Sequence, residues 1–143
     1  MLQIPENKTT LNDCNTISFK LRYGCYVITA EVDKAIQRVG GLDEKRILYI
    51  GSGIIKTRLN MFQKVIFENK SRGHSGATTY NRRSQLYLKM YPLTKLKAHF
   101  KEFNSKKTAT NHEVKLLTSY EKTYGELPPL NKNIPKKSES HEY

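Results

Sequence analysis

Acidic side chains are scarce in this chain. Only 13 Asp and Glu face 25 Lys and Arg, and the resulting formal charge of +12 disfavours an acidic-surface or purely structural protein and points toward a polyanionic partner. Long apolar runs are missing as well: Ile47–Ile50, among the longest, spans about four residues, whereas a membrane span needs ~20. No transmembrane helix and no membrane partner are therefore expected. The stretch Met1–Asn12 is polar and has no apolar signal core, so the expected location is cytoplasmic. Cysteine is limited to Cys14 and Cys25, which lack partners at zinc-ligand spacing, and neither a disulfide nor a zinc site is expected in a reducing compartment. With 8 glycines and 5 prolines in 143 residues, low-complexity disorder is excluded too. The length suits one domain. Residues 1–16 are read as an N-terminal extension, 17–131 as the core and 132–143 as a polar tail.

What is abundant is positive charge, and it is unevenly spread. Residues 1–52 carry a net +1, residues 53–107 a net +11 and residues 108–143 a net 0. Such a segment is either a solvated lysine-rich face or a phosphate-contacting surface, in which each neutralised phosphate releases counterions and adds affinity without reading sequence. Lys56, Lys70, Arg72, His74, Arg82 and Arg83 are the candidate nucleic-acid contacts. Tyr80, Tyr87 and Tyr91 are interleaved with them and either stack bases or fill the core.

Hydrophobic periodicity gives the elements. Ile17, Phe19 and Leu21 alternate with polar residues and predict a strand over 17–22. Cys25–Ala30 and Arg46–Ile50 predict two more, the latter ending at Gly51-Ser52-Gly53. Ile55, Leu59, Phe62 and Ile66 recur at helical spacing, with Lys56, Arg58 and Lys64 off the stripe. Residues 71–79 read as a loop, Leu86, Leu88 and Met90 as a strand stopped by Pro92, and Leu96, Phe100 and Phe103 as a short helix. Val114, Leu117, Tyr120 and Tyr124 predict a last helix over 110–124, closed by Gly125.

Gly51-Ser52-Gly53 between a strand and a helix is not a dinucleotide fingerprint, because Lys56 stands where the third glycine belongs, and no Gly-Lys-Ser/Thr follows. The turn and helix N-terminus remain a weak anion site, with Arg58 within one turn. Several residues taken in order say more. Gly24-Cys25-Tyr26 in one strand, Tyr49-Ile50-Gly51 in the next, Arg58 on the following helix, Glu113 on a later helix and the segment Tyr124 to Asn131 together resemble the GIY-YIG nuclease superfamily over about residues 23–131.

The resemblance implies a small α/β (α+β) fold: a mostly antiparallel three-stranded sheet, with one possible extra N-terminal strand, flanked by helices. It implies a metal-dependent endonuclease acting on DNA. Tyr26 would be the general base, which with an unperturbed pKa of ~10 needs a nearby cation or metal. Tyr49 would orient the same water, Arg58 would offer a planar fork to the phosphate, and Glu113 would hold one Mg²⁺ or Mn²⁺. Gly24, Gly51 and Asn131 take structural or auxiliary roles. Residues 31–45 are an insertion between the two signatures, read as a loop or small helix. Phe62 stands where the family often has a histidine or tyrosine, a place His74 or Tyr80 could fill. Two rival readings accompany these expectations. Thr110-Asn111-His112-Glu113 also reads as a capping box that would occupy Glu113, and the whole chain also reads as a non-catalytic DNA- or RNA-binding module on the same fold.

Overall fold

The computed structural model describes residues 2–136. Its centre is β2 (Tyr23–Ala30), a strand buried at every position except its first. Uninterrupted burial of this kind belongs to a strand covered on both faces, and it explains why the segment reads as an apolar run with no alternation. On one side β2 pairs antiparallel with β5 (Ile47–Ile54), on the other with β6 (Leu96–Phe103). Outside β6 lies β1 (Asn7–Thr10), also antiparallel, giving the order β1-β6-β2-β5. The fold is thus α+β on a four-stranded antiparallel sheet, and the extra N-terminal strand comes from the extension at 7–10.

The alternating stretch 17–22 joins no ladder. The backbone N–H groups of Lys20 and Leu21 donate to the Glu102 carboxylate, and Phe19 sets its ring edge-on against Phe100 at 5.1 Å between centroids. Ile17 and Phe19 pack against the core while Leu21 stays exposed, so the alternation does not record sheet pairing.

Helices cover both faces of the sheet. On one face α1 (Ile55–Phe67) buries Ile55, Leu59, Phe62, Val65 and Ile66 against Tyr26 and Ile28. α2 (Ser75–Arg82) follows, where a loop is predicted: its Ser, Gly and Thr content gives little helix propensity, and the helix exists because His74 caps it and Gly76, Ala77, Thr78 and Tyr80 are buried. α3 (Ser84–Met90) replaces a predicted strand. Its residues include good helix formers, Leu86, Leu88 and Met90 all remain exposed, and no strand edge is offered to them. β6 replaces a predicted helix because Leu96, Ala98 and Phe100, spaced by two, are the buried positions.

The opposite face is covered by α4 (Lys106–Tyr124), with Leu116, Leu117 and Tyr120 packed on Cys25, Val27, Ile47 and Ile50. Ser105 caps its start, accepting from the Thr108 N–H at 3.1 Å, and Gly125 ends it in the left-handed conformation at φ 77°. The helix starts four residues before the predicted boundary, so Thr110–Glu113 is no capping box and the Glu113 carboxylate is not engaged in one. The insertion at 31–45 forms a hairpin of β3 (Ile36–Arg38) and β4 (Gly41–Asp43), docked on the end of α4 through Gly40 N–H to Tyr124 C=O at 2.7 Å and the Arg38–Glu126 ion pair at 3.0 Å. Cys14 and Cys25 are free thiols buried in the cores on opposite faces of the sheet. No helix among the described residues is long and apolar enough to cross a membrane. Of the polar tail, 132–136 is irregular and 137–143 lies outside the described residues.

Candidate active site

Gly51-Ser52-Gly53 is not a turn but the continuation of β5, opposite Tyr26, Cys25 and Gly24 respectively. This pairing sets the site. Tyr26 faces Gly51 and Ile28 faces Tyr49, so the two tyrosines are diagonal neighbours on one face, their ring centroids 6.0 Å apart. The space they share exists because Gly51 has no side chain: a Cβ there would come within 2.7 Å of the Tyr26 ring and hydroxyl and 2.8 Å of the Tyr49 ring. From the far side Gly76 of α2 closes on Tyr49, where a Cβ would lie 2.6 Å from the ring. Gly24 is equally close-packed, with Lys101 C=O 2.8 Å from where its Cβ would be.

His74, at the start of α2, stands over this pair. Its Nε2 lies 2.7 Å from the Tyr26 hydroxyl, and its ring is 5.1 Å from Tyr49 and 4.8 Å from Phe62 between centroids. Phe62 therefore carries no polar role itself but supports the histidine that does. At 3% exposure His74 is buried, which corrects the expectation that it is a surface nucleic-acid contact. Burial, reinforced by the Arg58 charge, holds its pKa down to about 3, so the imidazole is neutral throughout the physiological range.

Arg58 of α1 is half-buried, and its charge acts on Tyr26, Tyr49, His74 and Glu113 alike. Glu113 projects from α4 on the other side of the sheet and accepts a short hydrogen bond from the Ser52 hydroxyl on the edge strand β5. Burial raises its pKa above the usual carboxylate range, with the Ser52 hydrogen bond and then Arg58 opposing. Its charge is also felt at Tyr26 and Tyr49.

The two phenols differ. Tyr26 is wholly buried and Tyr49 is 8% exposed. Burial pushes Tyr26 well above the ordinary phenol range, neighbouring Tyr49 adds to this, and Arg58 pulls the other way without prevailing. Tyr49 is raised by burial too, while a hydrogen bond with Ser75 lowers it. Sequence reasoning singles out Gly51-Ser52-Gly53 as a turn and misses Ser52 as the partner of Glu113, and no periodicity or motif signals Ser75. The link from His74 to Tyr26 has only one pointer in the sequence, the apolar Phe62 where a polar group is due.

The remaining candidates separate. Lys56, Lys70, Arg72, Arg82 and Arg83 stand outside this centre, all of them exposed, with Lys70 3.5 Å from Glu68. Base stacking by Tyr80 and Tyr91 is excluded by burial: the Tyr80 hydroxyl donates to Tyr91 C=O at 2.9 Å, and Tyr87 stacks on Tyr80 at 5.4 Å. Asn131 is a structural clamp. Its side-chain amide exchanges two hydrogen bonds of 2.9 Å with the Ile50 backbone, beside Leu130 N–H to Leu48 C=O at 2.9 Å, so the segment acts as a one-residue strand on the β5 edge. Among the described residues no three His, Cys, Asp or Glu side chains cluster, so Glu113 is the carboxylate that this centre offers to a cation.

No family model, curated protein or solved structure matches the chain.

Proposed function

We propose that the chain is a metal-dependent endonuclease of the GIY-YIG type that hydrolyses DNA phosphodiester bonds. The observation that carries this reading is that Tyr26 and Tyr49 share one face of β2 and β5 while Arg58 of α1 packs on Gly53 and Glu113 of α4 bonds Ser52, so that two tyrosines, an arginine and a glutamate meet the same short stretch of β5. Core filling would explain the tyrosines. It does not explain a half-buried guanidinium and a half-buried carboxylate brought to the same strand, because burying charge is unfavourable unless the charge is used or paired.

Phosphodiester hydrolysis needs a proton acceptor for water, neutralisation of the phosphoryl oxygens and help for the leaving oxygen. Arg58 offers two parallel donors to the phosphate. Tyr49, the more accessible phenol, orients the attacking water, and the ionised form of Tyr26 accepts the water's proton. The donor set fits a hard dication: Glu113 supplies carboxylate oxygen, the Ser52 hydroxyl fixes its orientation, and one carboxylate completed by waters and phosphate oxygens is a common Mg²⁺ arrangement. When bound, Mg²⁺ or Mn²⁺ would supply Lewis-acid polarisation at the phosphate and the positive charge that Glu113 and the buried phenols lack. The net +11 of residues 53–107 supports DNA as partner through phosphate contacts that do not read sequence.

The test is nicking of supercoiled plasmid in Mg²⁺, Mn²⁺ and EDTA. Open-circular and linear products with either metal and none in EDTA are expected. Uncut plasmid in every arm, still retarded by the protein on a gel, overturns the enzyme reading and leaves a basic binding module.

A further inference from the structure

His74 touches two things at once, and the first dictates the second. Its Nδ1 accepts hydrogen bonds from the backbone N–H groups of Gly76 at 3.1 Å and Ala77 at 3.3 Å, so it caps α2 and cannot itself carry a proton. In a neutral imidazole the proton then sits on Nε2, and Nε2 lies 2.7 Å from the Tyr26 hydroxyl. Nε2–H must donate, and Tyr26 Oη must accept.

We propose that His74 is a positioning residue of this centre: the N-terminus of α2 fixes its tautomer so that it donates to Tyr26 and holds that phenol oxygen as an acceptor. Each step follows from a hydroxyl having one proton to give. With one lone pair of Tyr26 engaged by His74, its O–H turns away from the imidazole, and Tyr49 is the neighbouring phenol on that face, its ring 6.0 Å away between centroids. The start of α2 thus directs a donor onto the Tyr26 oxygen, where it favours the ionised form of that phenol. The charged and titratable groups around the imidazole are Tyr26 from β2, Tyr49 from β5 and Arg58 from α1. None of them is an acceptor that would draw the proton back to Nδ1.

The kinetic arm of the test rests on the nuclease reading, and the spectroscopic arm does not. In ¹⁵N NMR of the whole wild-type chain, His74 should show a protonated Nε2 and an unprotonated Nδ1, unchanged from about pH 8 to about pH 5, while free imidazoles titrate in that range. An Nδ1–H tautomer or an imidazolium signal there overturns the proposal. His74→Asn keeps a capping oxygen but cannot reach Tyr26. It should melt near the wild type, bind DNA unchanged, lose about tenfold or more in kcat, and need higher pH for its remaining rate. His74→Gln, with an amide donor of longer reach, should recover part of that loss. Wild-type kcat in a folded His74→Asn protein overturns the positioning role even where the tautomer is as stated. Should the wild type not cleave at all, the nuclease reading falls and the NMR result alone decides the tautomer.

Discussion

Glu113 and Arg58 are the side chains whose chemistry can be separated from their packing by single substitutions. Glu113 has a raised pKa, so its ionised form is disfavoured in the fold. The sign follows: above the ordinary carboxylate range the charge lowers stability, and below that range wild type and amide are alike. Glu113→Gln should therefore melt at or above the wild type at about pH 7 and converge with it at about pH 4, while metal-dependent nicking falls by at least about two orders of magnitude. Circular dichroism melts and a plasmid time course measure both. A variant that nicks normally would make Glu113 merely the acceptor for Ser52. Arg58→Lys retains the charge but loses the planar fork, and nicking should drop by about 10²-fold or more with little change in bulk DNA affinity. Equal loss of rate and affinity would recast Arg58 as an ordinary phosphate ligand.

At the scale of the element, Asn131 closes half of a free edge, and its removal tests whether it is clamp or catalyst. Asn131→Ala deletes both bonds to the Ile50 backbone and should lower stability by about 1–3 kcal/mol in urea unfolding, with nicking per folded molecule retained. Which elements are legible in the sequence follows from how they are buried. α1 and α4 carry clean helical stripes, and β2 and β5 stand out as apolar runs. β6 is disguised because the apolar residues at 96, 100 and 103 fit a helix until Ala98 is counted among the buried positions. α3 is disguised for the converse reason: alternation identifies a strand only where a ladder is offered, and none of its residues is buried. α2 is hidden by weak propensity and by a cap, histidine, that is not among the usual four. Of the site, the order of Tyr26, Tyr49, Arg58 and Glu113 is visible in the chain. Of the groups that serve them, His74 is pointed to only by the apolar Phe62, and the roles of Ser52 and Ser75 are not visible, because their partners are fixed by the meeting of β2, β5, α2 and α4 and not by spacing along the sequence.

On the molecule as a whole, the excess charge belongs to the segment that includes α1 and α2, the helices bearing Arg58 and capped by His74, and the DNA interface is expected there. Neutralising Lys70, Arg72, Arg82 and Arg83 together, none of them part of the centre, should weaken binding to every duplex alike. It should flatten the dependence of log affinity on log salt by about 0.9 for each phosphate no longer neutralised, with up to four at stake. Parallel slopes for the two proteins on one labelled duplex would move the interface to Lys56 and Lys64 or to 95–107. The sheet order has a different consequence, one for how the chain comes into being. β1 and β2 both take β6 as a neighbour, so residues 7–10 and 23–30 wait for 96–103. At about 5–20 residues per second on the ribosome, β2 spends several seconds in the open with only β5 to pair with. Pairings so distant in sequence also close slowly. A strand buried along nearly its whole length thus emerges early and is covered late, and expression in the cold, where apolar association between nascent chains weakens, should raise the share that reaches the soluble fold.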